Sequence, residues 1–274
     1  MKEAWWGSCV LLAASILLPG SAIAQTRTRP IDVIAKPAPP EEPRNRISAD
    51  YNYENFNQDF TPWHWFSVEY GHRFDWGSLI GRVNWARRFD NSAFQYEVDA
   101  YPKLTKKTYL YLNFGVAQES YFPDRRYGAE IFFSLPKSFE ASGGLRRLEF
   151  DDKTVHILTG TVGYYHGNYY YVARPWISNK PGETSTSLSL MMRRYFETRH
   201  DYWTLRLSGG QGSESDETLD ELIQDTHYGL TFEWQKMFRP LWIIEAKTGV
   251  ESREYETGTQ RQGWLVGVGI SRLF

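Results

Sequence analysis

Six histidines, His64, His72, His156, His166, His200 and His227, are the obvious candidates for chemistry in this 274-residue chain. An imidazole beside a serine or a carboxylate can activate a nucleophile or a water. His156, just after Asp151 and Asp152, has the best company, yet no serine accompanies it in an identifiable motif. His166 falls in the turn His166-Gly-Asn168 and His200 in the turn Glu197–Asp201. No His-x-x-x-His spacing of a metal site occurs. Cys9 is the single cysteine and lies in an N-terminal apolar run, so no disulfide, thiolate catalysis or thiolate metal site is expected. Surface or interior histidines are the plainer reading, and neither a catalytic residue nor a cofactor is expected.

Charge offers a second kind of chemistry. Asp50, Glu54, Glu69, Arg73, Arg82, Arg88, Glu97, Asp99, Glu130, Arg146, Arg193, Arg206, Glu233, Glu245, Lys247 and Glu251 take the parity opposite to large apolar side chains. Successive side chains of an extended segment point to opposite faces. Phe94, Tyr96 and Val98 would thus oppose Gln95, Glu97 and Asp99, and Tyr228, Leu230, Phe232 and Trp234 would oppose His227, Thr231, Glu233 and Gln235. Leu110 to Val116 and Trp242 to Val250 repeat the pattern. Inside a low-dielectric wall such charges must pair or stay hydrated. Facing acids and bases would set a transverse field across a passage for polar solutes, or lock into a salt-bridged plug. The sequence leaves both open.

The elements that must position these charges are strands. From Arg46 onward the chain divides into alternating segments near 46–56, 63–74, 78–89, 92–101, 108–119, 127–135, 139–150, 154–165, 169–177, 184–196, 202–212, 223–237, 241–253 and 260–274, separated by turn residues such as Asp75-Trp-Gly77, Gly167-Asn168 and Arg239-Pro240. Pro175 is expected at a strand end or a bulge. Segments of this length suit a tilted crossing of the hydrocarbon layer, which takes roughly 9–11 residues. Soluble sandwich strands are shorter and keep the polar face outside. Closure satisfies every backbone group without leaving an edge in lipid. The expected fold is therefore all-β, a transmembrane antiparallel up-and-down β-barrel of about twelve to fourteen strands.

The longer connections (57–62, 178–183 and the acidic 213–222) would face the exterior, and the short turns and both termini the periplasm. A solvated loop is a plainer reading of 213–222 than a divalent-cation site near lipopolysaccharide. Trp63, Trp65, Trp203, Trp242 and Trp264 are expected as interfacial anchors, and so are Tyr169, Tyr170, Tyr171 and Trp176, although the latter group could also stack on sugar rings.

Both ends of the chain carry signals. A short charged start, an apolar run and the A-x-A of Ala22 and Ala24 predict a signal peptide over 1–24, cleaved before Gln25. Residues 25–45 are rich in proline and charge and read as a short disordered periplasmic leader, with the barrel over 46–274. At the other end Trp264, Val266, Val268 and Ile270 alternate with Gly267, Gly269 and Ser271 before the terminal Phe274. This resembles the C-terminal signal by which outer-membrane barrels are recognised for insertion. Arg272 departs from it, at a rim position where a long side chain can snorkel to water. Aromatic residues at 16% beside 23% charged residues fit a polar interior and aromatic girdles, and no apolar segment after the signal is long enough for a membrane helix. A net charge of −2 gives no argument for nucleic acid.

The block Leu135-Pro-Lys-Ser-Phe139, Ser142-Gly-Gly-Leu-Arg146, Asp151-Asp152, Val155, Gly163-Tyr-Tyr165, Gly167-Asn168-Tyr169 and Arg174 resembles the centre of the YaiO family of outer-membrane β-barrels. The resemblance implies an outer-membrane location for about residues 46–274 and implies no catalytic residues. It makes outer-membrane lipid, lipopolysaccharide, the barrel-insertion machinery and periplasmic chaperones the expected partners. Three roles compete. The leading one is a passive pore or export-linked conduit for polar solutes or glycans. A structural or adhesive surface barrel with an occluded lumen is second, and a lipid-modifying or hydrolytic barrel enzyme third. The residues that distinguish the first two are the expected lumen charges Glu69, Arg73, Arg82, Glu97, Asp99, Arg206, Glu233, Glu245 and Lys247.

Overall fold

The structure is a computed structural model that describes residues 43–57, 60–88, 91–118, 122–151, 153–180, 183–211, 226–255 and 258–274. The expected signal peptide, most of the expected leader and the acidic stretch 213–222 lie outside the described residues.

Fourteen strands run in chain order: β1 Asn45–Phe56, β2 Trp63–Phe74, β3 Gly77–Arg88, β4 Asn91–Pro102, β5 Thr108–Ala117, β6 Arg125–Ser134, β7 Phe139–Glu149, β8 Thr154–His166, β9 Tyr169–Lys180, β10 Glu183–Tyr195, β11 Tyr202–Gln211, β12 Thr226–Arg239, β13 Trp242–Glu254 and β14 Gln260–Leu273. Each pairs antiparallel with its sequence neighbours, and β1 pairs β14 to close the cylinder. The closing ladder reaches the last residue: Asn45 donates to the Phe274 carbonyl at 2.9 Å, and Phe274 donates back to Asn45 at 3.0 Å. No backbone edge is left to meet lipid, as a spanning sheet requires.

Alternation sorts the side chains. On β4, Phe94, Tyr96 and Val98 are 53%, 55% and 46% exposed, whereas Gln95, Glu97 and Asp99 are 0%, 3% and 1% exposed. The same period places Trp264, Val266, Val268 and Ile270 of β14 outside. Small residues inside β14 let neighbouring strands crowd in; a Cβ on Gly267 would meet the Asn52 Oδ1 at 2.2 Å. Arg272 stands over the Trp242 ring at 5.4 Å, so its aliphatic stem covers an aromatic at the rim while its charge stays free to reach water.

The rim holding Asn45 and Leu273, here the near rim, has mostly tight turns. Gly167 at φ 56° supplies the left-handed position that the two-residue β8–β9 hairpin needs. At the β2–β3 turn, Gly77 packs so closely on the Tyr101 carbonyl that a Cβ would sit 2.1 Å from it. The far rim carries the connections after β1, β5 and β11, which span more residues; the longer connection expected at 178–183 is not among them, because β9 runs to Lys180 and β10 begins at Glu183.

Two further expectations need correction. Pro175 lies at neither a strand end nor a bulge. It sits inside β9, and the β8–β9 ladder skips the positions between Thr159–Trp176 and Val162–Ala173 without changing register. Proline has no N–H to give there, and the Thr159 hydroxyl donates to the Pro175 carbonyl at 3.0 Å instead. Second, Trp63 and Trp65 are not interfacial anchors. They share the parity of Glu69 and are buried within the cylinder, and Tyr170 and Trp176 likewise share the parity of Arg174. Trp264, by contrast, is exposed on the outer face.

Candidate functional site

The site is the inner wall, built in three tiers along the strands. In the first sector of the wall, β2, β3 and β4 run side by side with Glu69 opposite Arg82 and Arg82 opposite Glu97. The Arg82 guanidinium spreads all its nitrogens over carboxylates: Nε to Glu69 at 2.7 Å, Nη1 to Glu97 at 2.5 Å and Nη2 to Asp99 at 2.8 Å. Arg126 of β6 reaches the other Glu97 oxygen at 2.9 Å. Asp99 further accepts from the Asn113 amide at 2.7 Å and the Tyr111 hydroxyl at 3.2 Å. A planar fork of five donors suits such multiple recognition, which a lysine would not reproduce.

Glu130 of β6 anchors the next sector. Arg174 reaches it at 3.0 Å and Arg146 at 4.0 Å, and the Ser142 hydroxyl donates to it. Both arginines also lie over the Trp176 ring, at 5.1 and 5.2 Å. Farther round, Arg193 donates to the Thr204 hydroxyl at 2.8 Å, approaches Glu233 at 3.8 Å and stacks over Tyr202 at 4.0 Å. Glu233 stands directly across from Lys247 in the β12–β13 ladder.

Aromatic rings bound this ionic middle. Toward the near rim, Tyr109 stacks on Phe132 and Tyr165 on Tyr170, while the Tyr170 hydroxyl donates to Glu140 at 2.9 Å. Toward the far rim, Arg261 is ringed by Phe56, Phe60, Trp63 and Tyr255 at 4.4–5.8 Å and pairs with Glu251 at 3.1 Å. Arg88 lies over Trp63 at 4.2 Å, beside a small cleft lined by Asn52, Glu54, Trp63, His64, Trp65 and Arg88.

The structure places the other expected lumen charges as follows. Glu69, Arg82, Glu97 and Asp99 form one connected group. Arg206, Glu233, Glu245 and Lys247 occupy the β11–β13 wall, away from it. Arg73 is near the turn end of β2 and is half-buried. Arg126, Glu140, Arg174, Arg253 and Arg261 belong to the inner wall too and were missed, although each has the parity of its strand's other interior residues.

The histidines do not converge. His156 is exposed on the outer face, across from Arg147 and Asn179. His64 meets the Tyr51 hydroxyl and His72 the Asn45 amide, each at 2.7 Å. His227 is buried inside near the far rim, His200 is buried in the β10–β11 turn, and His166 ends β8 at the near rim. Among the described residues no group of histidines and carboxylates has the arrangement of a metal site.

The closed antiparallel cylinder with apolar outside and ionic inside is the context in which the family match has its meaning. The model of the YaiO membrane beta barrel domain matches residues 44–216. The chain belongs to this family. It is accordingly an outer-membrane barrel, crossing the membrane with strands. YaiO membership covers the inner sectors from β1 to β11. No curated protein matches the sequence. Among solved structures, the barrel is similar to a bacterial polysaccharide outer membrane secretin, with TM-score 0.54 and 7% identity over 85% of this chain and 99% of that one. It is also similar to the CymD monoaromatic hydrocarbon channel, with TM-score 0.55 and 5% identity over 85% of this chain and 89% of that one. At these identities the likeness is one of fold.

Proposed function

We propose that this YaiO-family barrel is a passive conduit for polar solutes, with saccharide chains as the solute class its wall suits best. The observation that carries the reading is the direction of the inner ion pairs. Arg82 with Glu97, Arg126 with Glu97, Arg174 with Glu130 and Arg193 with Glu233 join strands at most three apart, so these pairs run along the wall and not across the barrel. Eight strands give an interior that side chains just fill, and sixteen or more give an aqueous channel. Fourteen tilted strands spaced at the usual interval make a cylinder about 28 Å across between backbones, wider than two facing side chains reach. Wall charges that neutralise each other sideways need no partner across such a space, which suits a polar passage. Aromatic rings bound the ionic tier at both ends, and hydroxyl-rich solutes can exchange hydrogen bonds with its charged groups.

The short turns of the near rim support a periplasmic placement of that end. The outer apolar band would then sit in outer-membrane lipid, with lipopolysaccharide outside and the Trp264–Phe274 strand read by the insertion machinery. The scattered histidines support a non-enzymatic role. One observation favours an occluded structural barrel instead: inner charges in every sector, from Arg82 and Glu97 to Arg146, Arg193, Glu233 and Arg261, are almost completely buried. Planar-bilayer recording on purified protein separates the two. Stable conductance steps in concentrated potassium chloride are expected; silence across many insertions verified by gel would overturn the conduit.

A further inference from the structure

We infer that Arg206 and Lys247, with Arg193 and Thr231, form a mid-wall binding site for carboxylate-bearing saccharides, such as chains containing uronic acids; this deepens the conduit reading and rests on it. The four side chains stand on the inner face of the adjacent strands β10 to β13. Arg206 is directly across from Thr231, and Lys247 directly across from Glu233. The contrast with Arg82 is the starting point. Arg82 alone touches three carboxylates, whereas here Glu233 is one carboxylate among three cations, and Arg193 already lies 3.8 Å from it. Among the described residues, Arg206 reaches the Met191 Sδ at 3.7 Å and no carboxylate, and Lys247 forms no ion pair.

Two further acids face the same wall. Asp50 accepts from the Ser67 hydroxyl at 3.1 Å, and both Asp50 and Glu245 face Lys247 electrostatically without an ion pair to it. An independent sign of a ligand comes from Thr231. It is 3% exposed, and its hydroxyl has no hydrogen-bond partner. A buried hydroxyl normally finds one. Two cations that make no ion pair, with an unmet hydroxyl between their strands, suit an anion that also brings hydrogen-bonding groups. A sugar carboxylate with its neighbouring hydroxyls meets both needs.

The test is calorimetric titration of the full-length barrel, refolded in detergent, with a galacturonic acid hexamer, its monomer and neutral maltohexaose. The hexamer is expected to bind, more weakly as salt rises, and maltohexaose at least tenfold more weakly. Arg206→Gln and Lys247→Gln should each weaken the hexamer about tenfold, as losing one charge-assisted contact does. Thr231→Val should weaken it by a smaller factor at unchanged salt dependence. Unboiled and boiled gel migration establishes that each variant is folded, and the single variants stand in for one another should either fail to fold. Equal binding of maltohexaose, monomer binding as tight as the hexamer, or affinity unchanged in both charge variants would overturn the proposal. A barrel that binds the hexamer but never conducts would remove the conduit and keep the site; one that conducts but ignores the hexamer would do the reverse.

Discussion

Replacing Arg82 by glutamine is the sharpest perturbation of the inner wall. The wild-type side chain satisfies Glu69, Glu97 and Asp99 together, all of them almost fully buried. Glutamine fills much of the space but brings no charge. Glu97 would keep Arg126 at 2.9 Å, and Asp99 would keep Asn113 and Tyr111. Glu69 would keep the long Ser48 contact at 3.4 Å and its remaining weaker surroundings but lose its guanidinium partner. Removing one partner of a buried ion pair costs roughly 3–5 kcal/mol, and the remaining donors place this case near the lower end, about 3 kcal/mol. With a typical urea slope of about 1–3 kcal/mol per molar, the unfolding midpoint should fall by about 1 M or more. The assay is urea unfolding in lipid vesicles, followed by tryptophan fluorescence and by heat-modifiable migration. Adding Glu69→Gln to Arg82→Gln should restore part of the loss, with a coupling of at least about 1 kcal/mol. A loss below about 1 kcal/mol without rescue would mean that water, not Arg82, neutralises these acids, and the inner network would lose its structural role.

Other expectations follow from single positions. Gly144→Val should destabilise the barrel by roughly 1–3 kcal/mol or block closure, because a Cβ there meets the Ala129 carbonyl and Glu130 Cβ, both at 2.5 Å. Gly143→Val, one residue away with nothing within 4 Å, should refold into vesicles as well as wild type; equal effects of the two would contradict the assigned faces. Val268→Arg, on the most exposed apolar position of β14, should cost about 2–4 kcal/mol in vesicle-refolding titrations if it lies near the bilayer midplane, and tolerance of it would speak against lipid contact there. His156→Ala should leave barrel stability and conductance unchanged, since the ring lies on the outer face; a changed conductance would contradict its placement.

The strands were legible because alternation is a local property. Fourteen segments between turn signals already define the cylinder, and Gly167-Asn168 marks its hairpin in two residues. Parity alone also assigns Trp63, Trp65 and Trp176 to the inside, yet the habit of placing tryptophan at the lipid interface outweighed it. What the sequence could not give is which charges meet. Arg82 finds Glu97 and Asp99 because β3 and β4 pair with residues 82 and 97 opposite, and a shift of two residues would pair the arginine differently without moving any side chain to the other face. The same holds for Arg206, whose lack of a carboxylate follows from facing Thr231 instead of Glu233. Pro175 shows the reverse error: a local rule forbade a mid-strand proline, and an interrupted ladder on one side accommodated it.

The central claim is that one parity of every strand touches lipid and the other an interior closed from it. Cys9 is the single cysteine of the sequence, so a Cys9→Ala chain carrying one engineered cysteine at a time from Phe94 to Asp99 can take a spin label at each site. In vesicles, labels at 94, 96 and 98 should relax with oxygen dissolved in the bilayer, and labels at 95, 97 and 99 should not. A signal without a period of two, or the two sets exchanged, would contradict it.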